Sequence, residues 1–205
     1  MEFQRVVGAR RMVRAFQPDR VVPEASVRRI LRNAQRGPSA GFSQGNAYVV
    51  LTNAADRERF WRTSAETRAA NDWLSRMQQA PVLVLCWCSE NLYQQRYAEA
   101  DKSEARGFAA PYWYVDAGAA AMLILQTAVD EGLGACLFGM PPQRVDQIRD
   151  QFGVPADWLP VAVIALGYAD AERDRRSVSL RRGRRPESDV VHMGRWGSAD
   201  SSLPS

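Results

Sequence analysis

The chain contains few of the residues that build metal centres, and it has no apolar run long enough to cross a bilayer. Its 205 residues include one histidine, His192, and three cysteines. Zinc sites take four ligands drawn mostly from these two residue types at close spacings, so we expect no bound metal. A membrane helix needs ~20 consecutive apolar residues, so we also expect no membrane partner. The first residues carry no hydrophobic signal core, which favours a cytoplasmic location.

Lysine is also scarce, since Lys102 is the only lysine among 27 basic residues. The net charge of +4 and the pI of about 9.2 raise the question of nucleic-acid binding. The middle of the chain, however, is balanced in charge and shows no basic stripe. We therefore expect no nucleic-acid partner, and the excess of arginine over lysine also fits a coding bias.

The three cysteines are Cys86, Cys88 and Cys136. Cys86 and Cys88 lie two residues apart in an extended apolar run. Alternate side chains of a strand share a face, but they are poorly placed for a disulfide with each other. We interpret all three as small buried side chains rather than ligands or nucleophiles.

The remaining composition is that of an ordinary globular protein, with 46% hydrophobic and 24% charged residues. We predict one domain over residues 1–196 and a flexible tail over residues 197–205. Apolar spacing predicts helices over 23–36, 57–79, 115–131 and 142–152, and strands over 47–51, 82–88, 133–139 and 161–166. The strands are apolar on both faces, which is typical of a sheet covered by helices on both sides.

Two segments have an unusual apolar pattern. The helix predicted over 115–131 is small and apolar nearly all round, which favours a place in a core or an interface. The chain from 169 to 205 looks extended and has little core of its own, yet it carries Val190, Val191, Met193 and Trp196. We expect this segment to pack on another surface, such as that of a second subunit.

Arginine clusters lie near both ends of the chain. The first is Arg10-Arg11-Met12-Val13-Arg14, and the second is Arg181-Arg182-Gly183-Arg184-Arg185. Arginine binds phosphate through a two-pronged fork, so the two clusters suggest one anionic ligand such as a phosphorylated cofactor. On a helix, Arg10 and Arg14 would share one face, and a solvated helix surface is the alternative interpretation of the first cluster.

Two segments rich in small residues lie between the clusters. Residues 38–44, Pro-Ser-Ala-Gly-Phe-Ser-Gln, leave room for a flat ligand near the backbone, although a plain turn is the alternative. Residues 132–139, Gly-Leu-Gly-Ala-Cys-Leu-Phe-Gly, follow a predicted helix and lack the spacing of a dinucleotide fingerprint. Taken alone, this second segment is a helix cap followed by a strand.

The order of these motifs resembles the nitroreductase family of FMN-dependent oxidoreductases from about Phe3 to Trp196. The resemblance rests on residues 10–16, 38–44, 116–139, 166–168 and 182–186. It implies an α+β fold, an α/β sandwich in which helices cover a central sheet, assembled as an intertwined homodimer. FMN lies at the subunit interface in this family, so the two arginine clusters of one site need not come from the same subunit.

The resemblance also implies which residues hold the cofactor. The FMN phosphate and ribityl chain are assigned to Arg10, Arg11, Arg14, Arg182 and Arg184. Pro38, Ser39 and Ala40 would line the flavin, and Asn71 would contact it. The backbone N–H groups of Leu137, Phe138 and Gly139 would face its N5 edge. No side chain is assigned as a catalytic acid or base.

The chain departs from the family pattern around residue 42. Many members have Asn at the position of Phe42 and Pro-Trp at the positions of Gly45-Asn46. Phe42 is similar to the subgroup that contains the flavin-fragmenting enzyme that makes dimethylbenzimidazole. That subgroup has an Asp where this chain has Met12, which leaves flavin fragmentation as a minor alternative.

The activity implied by the resemblance is electron transfer from NADH or NADPH, through the flavin, to a nitro compound, a quinone or a similar electron-poor substrate. A flavin-binding module without turnover is a further alternative. Aromatic residues of the variable middle could cover a flat substrate or pack in the core, namely Tyr93, Tyr97, Phe108, Tyr112 and Trp113. The polar stretch 91–108 favours a mobile cover over a pocket.

Overall fold

The computed structural model describes residues 1–65, 72–102 and 107–198, and the chain divides into two units. The first unit spans Met1–Arg175 and the second begins at Arg176. Every helix longer than five residues and every strand of the described chain belongs to the first unit. The proposed boundary between a domain over 1–196 and a tail over 197–205 stays a prediction.

Four strands form one antiparallel sheet in the order β1-β2-β4-β3. They are β1 (Asn46–Leu51), β2 (Val82–Cys88), β3 (Gly134–Phe138) and β4 (Leu159–Gly167). Valine and leucine are frequent in these segments because such side chains pack well on a pleated surface. The strand predicted over 82–88 is confirmed at both ends, and the other three are confirmed with ends shifted by one or two residues.

Seven α-helices lie in the described part of the first unit: α1 (Phe3–Ala9), α2 (Glu24–Ala34), α3 (Ala54–Ala65), α4 (Asp72–Met77), α5 (Glu90–Tyr97), α6 (Tyr112–Asp130) and α7 (Val145–Gln151). The predicted helices over 23–36, 115–131 and 142–152 correspond to α2, α6 and α7. The helix expected over 57–79 is observed as α3 and α4, with residues 66–71 outside the described chain.

Helix α5 differs from the sequence-based expectation, which placed a mobile cover over residues 91–108. Its polar sequence shows no helical stripe of apolar residues. The Ser89 side chain caps the helix by accepting a hydrogen bond of 3.4 Å from the Leu92 N–H. Tyr93, which is fully buried, anchors the helix to the first unit. Tertiary packing therefore decides this helix more than local pattern does.

Alternate side chains of β2 fill two cores, one on each face of the sheet. Leu83, Leu85 and Trp87 join the core that includes buried side chains of α3, α4 and α7. Val82 and Val84 join the core built with α2 and α6. Each fully buried aliphatic side chain contributes about 1.5–3 kcal/mol. The prediction of a sheet covered by helices on both faces is confirmed, and the fold is α+β.

One side of α6 is buried and the other is exposed in this chain. Ala120, Ala121 and Ile124 pack into the core, whereas Val115 and Met122 are 53% and 42% exposed. Helix α6 is therefore apolar nearly all round, as expected, but its two sides have different environments. The buried side covers the sheet, and the other side leaves an apolar surface open.

The second unit contains two 3-10 turns, Val178–Arg182 and Glu187–Asp189, within its described residues 176–198. None of these residues is buried. Leu180 and Trp196 are large apolar side chains left exposed. The prediction that residues 169–205 lack a core of their own is therefore confirmed for residues 176–198.

Candidate functional site

The first arginine cluster lies on an extended segment beside β3, not on a helix. Helix α1 ends at Ala9, and Arg10 has the extended dihedral angles φ −62° and ψ 122°. Met12 forms a parallel bridge with Ala135, and the Val13 N–H donates a hydrogen bond of 2.9 Å to the Ala135 carbonyl. The expectation of a shared helix face for Arg10 and Arg14 is wrong, because the free edge of β3 pairs with this backbone.

Residues 10–16, which we call the arginine segment, are also held at their other end. Phe16 bridges Ala169, and the Asp170 N–H donates to the Ala15 carbonyl at 3.0 Å. A Cβ on Gly134 would lie 2.8 Å from the Val13 side chain, so only glycine permits this close approach. The segment is fixed mainly by its backbone.

The three arginines of this segment have different surroundings. Arg11 forms an ion pair with Asp174, whose side chain is only 2% exposed. Asp174 also accepts a 2.7 Å hydrogen bond from the Arg14 N–H, and the Arg14 guanidinium donates to the Met12 carbonyl at 3.2 Å. Arg10 is half-buried and has no ion-pair partner among the described residues. Arg10 is thus the arginine most available to an added anion.

The end of β3 brings its backbone beside the arginine segment. The Leu137 N–H points at the Met12 sulfur at 3.5 Å, and Leu137 and Phe138 pair with β4. The Phe138 ring stacks on Trp61, with centroids 5.6 Å apart and an interplanar angle of 10°. No described atom lies within 4 Å of where a Cβ on Gly139 would stand. The structure therefore brings Leu137, Phe138 and Gly139 to the neighbourhood of the first cluster.

The second predicted contact region is the loop of residues 38–44, which we call the serine loop. It contains the 3-10 turn Ala40–Phe42. Gly41, Phe42 and Gln44 have φ values of 62°, 58° and 53°. Left-handed backbone at a residue other than glycine costs about 1–3 kcal/mol, and it persists only where neighbouring groups enforce it.

Buried side chains enforce the shape of the serine loop. Asp116, which is 4% exposed, accepts hydrogen bonds of 2.7 Å from both the Ala40 N–H and the Tyr93 hydroxyl. Arg96 donates from Nε to the Gly41 carbonyl at 2.8 Å. Burial, followed by the hydrogen bond to Asp116, raises the pKa of the Tyr93 phenol, so this group stays a donor.

The serine loop also lines a cavity of about 280 Å³ between the end of α2 and β1. Pro38 and Ser39 form part of its wall, together with Asn46 and Tyr48. The Tyr48 hydroxyl and the Asn46 side-chain carbonyl are buried there without a hydrogen-bond partner among the described atoms. Burial raises the pKa of Tyr48 to about 12, with a smaller contribution from Cys86. The cavity wall next to the serine loop thus offers two uncharged hydrogen-bonding groups, the Tyr48 hydroxyl and the Asn46 side-chain carbonyl.

A larger cavity, about 550 Å³, lies elsewhere on the first unit. Its wall includes Val22, Arg57 and Pro81 but none of the predicted cofactor residues. Arg57 is held there by a hydrogen bond to the Thr52 carbonyl. The larger cavity therefore does not contain the residues that carry the family motifs. We place the candidate site at the motifs rather than at the larger cavity.

The remaining predicted contacts lie outside this arrangement. Asn71 falls outside the described residues. Arg182 and Arg184 belong to the second unit, where both are exposed around Gly183, which has a φ of 70°. A common phosphate site for the two arginine clusters stays a prediction.

The aromatic residues of the variable middle contact one another. Tyr97 and Phe108 meet edge to face at 4.8 Å, and Tyr93 meets Trp113 at 6.2 Å. Tyr93 is fully buried, so core packing is its correct interpretation. The cluster supports the serine loop from behind, and residues 103–106 lie outside the described chain.

The cysteines are free and buried, as predicted. Burial raises the pKa of Cys86 and Cys88 to about 12 and that of Cys136 to about 11. They are therefore protonated and unsuited to nucleophilic chemistry near neutral pH. The described residues contain no cluster of three or more His, Cys, Asp or Glu side chains that could hold a metal. None of the described helices has the length and apolar character of a membrane span.

Sequence reasoning missed two carboxylates of the site. Asp116 is the only charged residue in α6 before Asp130, and a lone carboxylate in an apolar helix is a signal that could have found it. Asp174 lies in the run Glu172-Arg173-Asp174-Arg175, where nothing distinguishes it from a solvated charge. Its role depends on a contact 160 residues away along the chain.

Known proteins resemble this chain over most of its length. A model of the nitroreductase family matches residues 7–168, which confirms the resemblance drawn from the motifs. A protein of Methanothermobacter thermautotrophicus, named for a proposed NADH dehydrogenase/NAD(P)H nitroreductase activity, is 28% identical over 96% of this chain and 88% of its own. A protein of Archaeoglobus fulgidus with the same name is 27% identical over 95% of this chain and 99% of its own.

A solved structure shows the same fold. It is that of a protein from Exiguobacterium sibiricum, proposed to be a nitroreductase and solved in complex with FMN. The TM-score is 0.72 at 19% identity, and the match covers 93% of this chain and 96% of the other. The fold expected from the motifs is therefore confirmed.

Proposed function

The chain belongs to the nitroreductase family, and we propose that it is an FMN-dependent oxidoreductase. Its electron donor would be NADH or NADPH, and its acceptor a nitro compound, a quinone or a similar electron-poor molecule. The redox chemistry would be supplied by bound FMN, and the protein would bind, orient and tune it. The names of the two archaeal relatives and the FMN complex of the structural neighbour support this proposal.

The observation that carries the proposal is Arg10, which lies on the segment paired with β3 and has no ion-pair partner among the described residues. A half-buried guanidinium without a carboxylate partner is suited to a phosphate, which it binds with two charge-assisted hydrogen bonds. Arg14 lies on the same fixed segment. Arg11 is already paired with Asp174, so we assign it a smaller share of phosphate binding. Arg182 and Arg184 are included on the family resemblance alone.

The other predicted contacts fit the flat part of the cofactor. Pro38, Ser39 and Ala40 would line the flavin from the serine loop, whose backbone is preset. The backbone beyond Leu137 would offer N–H groups from Phe138 and Gly139 to its N5 edge. Fixed N–H donors and an arginine charge stabilise negative charge without reorganising, which favours the reduced cofactor. Asn71 stays a further proposed contact.

We propose that the protein forms a homodimer. The open apolar side of α6 includes Val115 and Met122, and Phe3 and Val7 of α1 are also exposed. The second unit adds Leu180 and Trp196 without a core to receive them. Large apolar side chains exposed in two places support burial against a second copy. A cytoplasmic location stays part of the proposal.

Flavin fragmentation gains no support from the site. The position at which that subgroup has an Asp is occupied by Met12, whose sulfur lies near the Leu137 N–H. A thioether cannot exchange a proton as a carboxylate does. Electron transfer therefore remains the function that the residues support best.

Anaerobic reduction tests the proposal. The FMN-loaded protein is mixed with NADH or NADPH in a stopped-flow instrument, and the reduced form is then offered nitroaromatic compounds and quinones. We expect bleaching of the flavin absorbance by at least one donor and recovery with at least one acceptor. Bound FMN that neither donor reduces would instead indicate a binding module, and protein that takes up no FMN would contradict the proposal.

A further inference from the structure

The serine loop is held in an unfavourable backbone conformation by groups from α5 and α6. Phe42 and Gln44 both lie in the left-handed region, which non-glycine residues rarely adopt. Phe42 is also 73% exposed, so burial of its side chain does not offset the unfavourable backbone conformation. The conformation must therefore be imposed by contacts made elsewhere in the loop.

The Asp116 carboxylate makes the strongest of these contacts. One of its oxygens, Oδ2, accepts from the Ala40 N–H and from the Tyr93 hydroxyl, both at 2.7 Å. No arginine or lysine pairs with this buried carboxylate in the described part of the chain. Hydrogen bonds to a charged acceptor are about twice as strong as neutral ones. Asp116 therefore fixes the Ala40 amide next to two predicted flavin contacts.

The direction of the hydrogen bonds is set by Asp116. A carboxylate can only accept, so the Tyr93 hydroxyl must donate to it, and the Tyr93 oxygen keeps lone pairs for other donors. The Ser39 oxygen accepts the Gln44 N–H at 2.8 Å, so the far end of the serine loop is tied to the residue next to Ala40.

The Tyr93 ring also packs closely against Gly45, which directly follows the serine loop. A Cβ on Gly45 would lie 2.5 Å from the Tyr93 ring and 3.0 Å from the Ser89 carbonyl. Any residue with a Cβ at position 45 would meet this obstruction. Glycine at 45 and tyrosine at 93 are thus a matched pair, and they place the Tyr93 hydroxyl within reach of Asp116.

We propose that Asp116 is a positioning residue for the cofactor, which presets the serine loop through the Ala40 amide and the Tyr93 hydroxyl. The inference rests on the proposed FMN site. Asp116 lies behind the loop and would not touch the flavin itself. Its effect is to hold Ser39 and Ala40 in the conformation that the flavin meets, so that binding need not order them.

The test uses three variants and a control on the same helix. Asp116→Ala removes both hydrogen bonds, Asp116→Asn keeps an oxygen acceptor without the charge, and Tyr93→Phe removes a single hydroxyl. The control is Thr127→Ala, because Thr127 is also buried on α6 and accepts a hydrogen bond of 3.1 Å from Asn33. Amide hydrogen exchange of residues 38–45 is measured in the flavin-free protein, and the FMN Kd and visible circular dichroism are measured after loading.

We expect Asp116→Ala to speed exchange in the loop and to raise the FMN Kd, each by about tenfold or more. The dichroism of the bound flavin should change as well. Asp116→Asn should lie closer to the wild type, and Tyr93→Phe should raise the Kd by about threefold to tenfold. Thr127→Ala should leave loop exchange, Kd and dichroism unchanged even if it lowers stability.

Two outcomes would overturn the inference while leaving the proposed function intact. One is wild-type loop exchange in both Asp116→Ala and Tyr93→Phe. The other is a loosened loop with an unchanged FMN Kd and flavin spectrum. Should Asp116→Ala fail to fold, Tyr93→Phe decides between the same results. Failure of the wild-type protein to bind FMN would overturn the proposed function, and the link between Asp116 and the cofactor with it.

Discussion

The arginine segment and the serine loop are fixed in different ways, although both are assigned to the same cofactor. The arginine segment is held by backbone pairing with Ala135 at one end and Ala169 at the other. Within the part of the chain that the structure describes, the serine loop forms no β-bridge and depends on side chains of α5 and α6, chiefly Asp116. One half of the candidate site is therefore built from main chain and the other from a few buried side chains.

Because of this difference, we expect the two regions to respond differently to substitutions. A backbone bridge survives most substitutions, because each residue supplies the same N–H and carbonyl groups. A loop with left-handed Phe42 and Gln44 is stable only while its side-chain contacts remain, since the strained conformation has to be offset by them. We expect substitutions around the serine loop to change the backbone conformation of the loop more readily than substitutions along the arginine segment change that of the segment.

A large loss of stability is expected for Asp174→Ala, because this side chain is 2% exposed and contacts two residues of the arginine segment. The change removes the partner of Arg11 and the acceptor of the Arg14 N–H, and losing one member of a buried charged pair costs about 3–5 kcal/mol. Because Arg11 is 44% exposed, we expect about 2 kcal/mol, measured by urea unfolding.

The matched control for Asp174 is Asp146→Ala. Asp146 pairs with Arg149, but its side chain is 89% exposed. Because the Asp146 carboxylate is solvated, its pair with the largely buried Arg149 contributes about 0–1 kcal/mol, so unfolding should change little. Equal effects of the two substitutions would show that the arginine segment is held by its backbone alone.

Gly45→Ala tests the sensitivity of the serine loop. The added Cβ would stand 2.5 Å from the buried Tyr93 ring, and overpacking of this kind costs about 1–3 kcal/mol. We expect reduced stability and weaker FMN binding. Combining Gly45→Ala with Tyr93→Leu should recover part of the loss in a double-mutant cycle.

Gly118→Ala is the control for Gly45. It lies in α6, and no described atom is within 4 Å of where its Cβ would be. Gly118 is exposed on the open side of α6 between Val115 and Met122, so the comparison is made on the monomer. There alanine is favoured over glycine in a helix by about 1 kcal/mol, and this change should stabilise the protein. A Gly45→Ala protein as stable as the Gly118→Ala protein would contradict the close fit of Tyr93.

The apolar pattern of the sequence predicts most of the fold and little of the site. The strands and α6 are predicted from the local spacing of apolar residues, which does not depend on distant parts of the chain. The extended backbone of the arginine segment is not predicted in this way, because it depends on the edge of β3 more than 120 residues later. The role of Asp174 cannot be read from its charged run either, because it depends on contacts with Arg11 and Arg14 far away in the sequence. The order of motifs along the chain identifies the predicted cofactor residues. The carboxylates that hold them, Asp116 and Asp174, are identified only by their contacts in the folded chain.

Alkaline pH gives the smallest expected effect and probes the sheet beneath both regions. Burial raises the pKa of Cys86 from 9.0 to about 12, so the unfolded thiol ionises first. Stability linked to this group is therefore present below pH 9 and is lost as pH rises toward 12. We expect wild-type urea stability to fall more between pH 8 and pH 10 than that of Cys86→Ala. Parallel losses in both proteins would contradict the assignment.

The most direct test of the FMN assignment is titration of the flavin-free protein with FMN, compared between the wild type, Arg10→Ala and Arg11→Ala. We predict one FMN bound per chain in the wild type. Loss of an unpaired phosphate ligand should weaken binding by about 10- to 100-fold in Arg10→Ala, whereas Arg11→Ala should change it by less than about threefold. A wild-type protein that binds no FMN, or an Arg10→Ala protein that binds it as tightly as the wild type, would contradict the account.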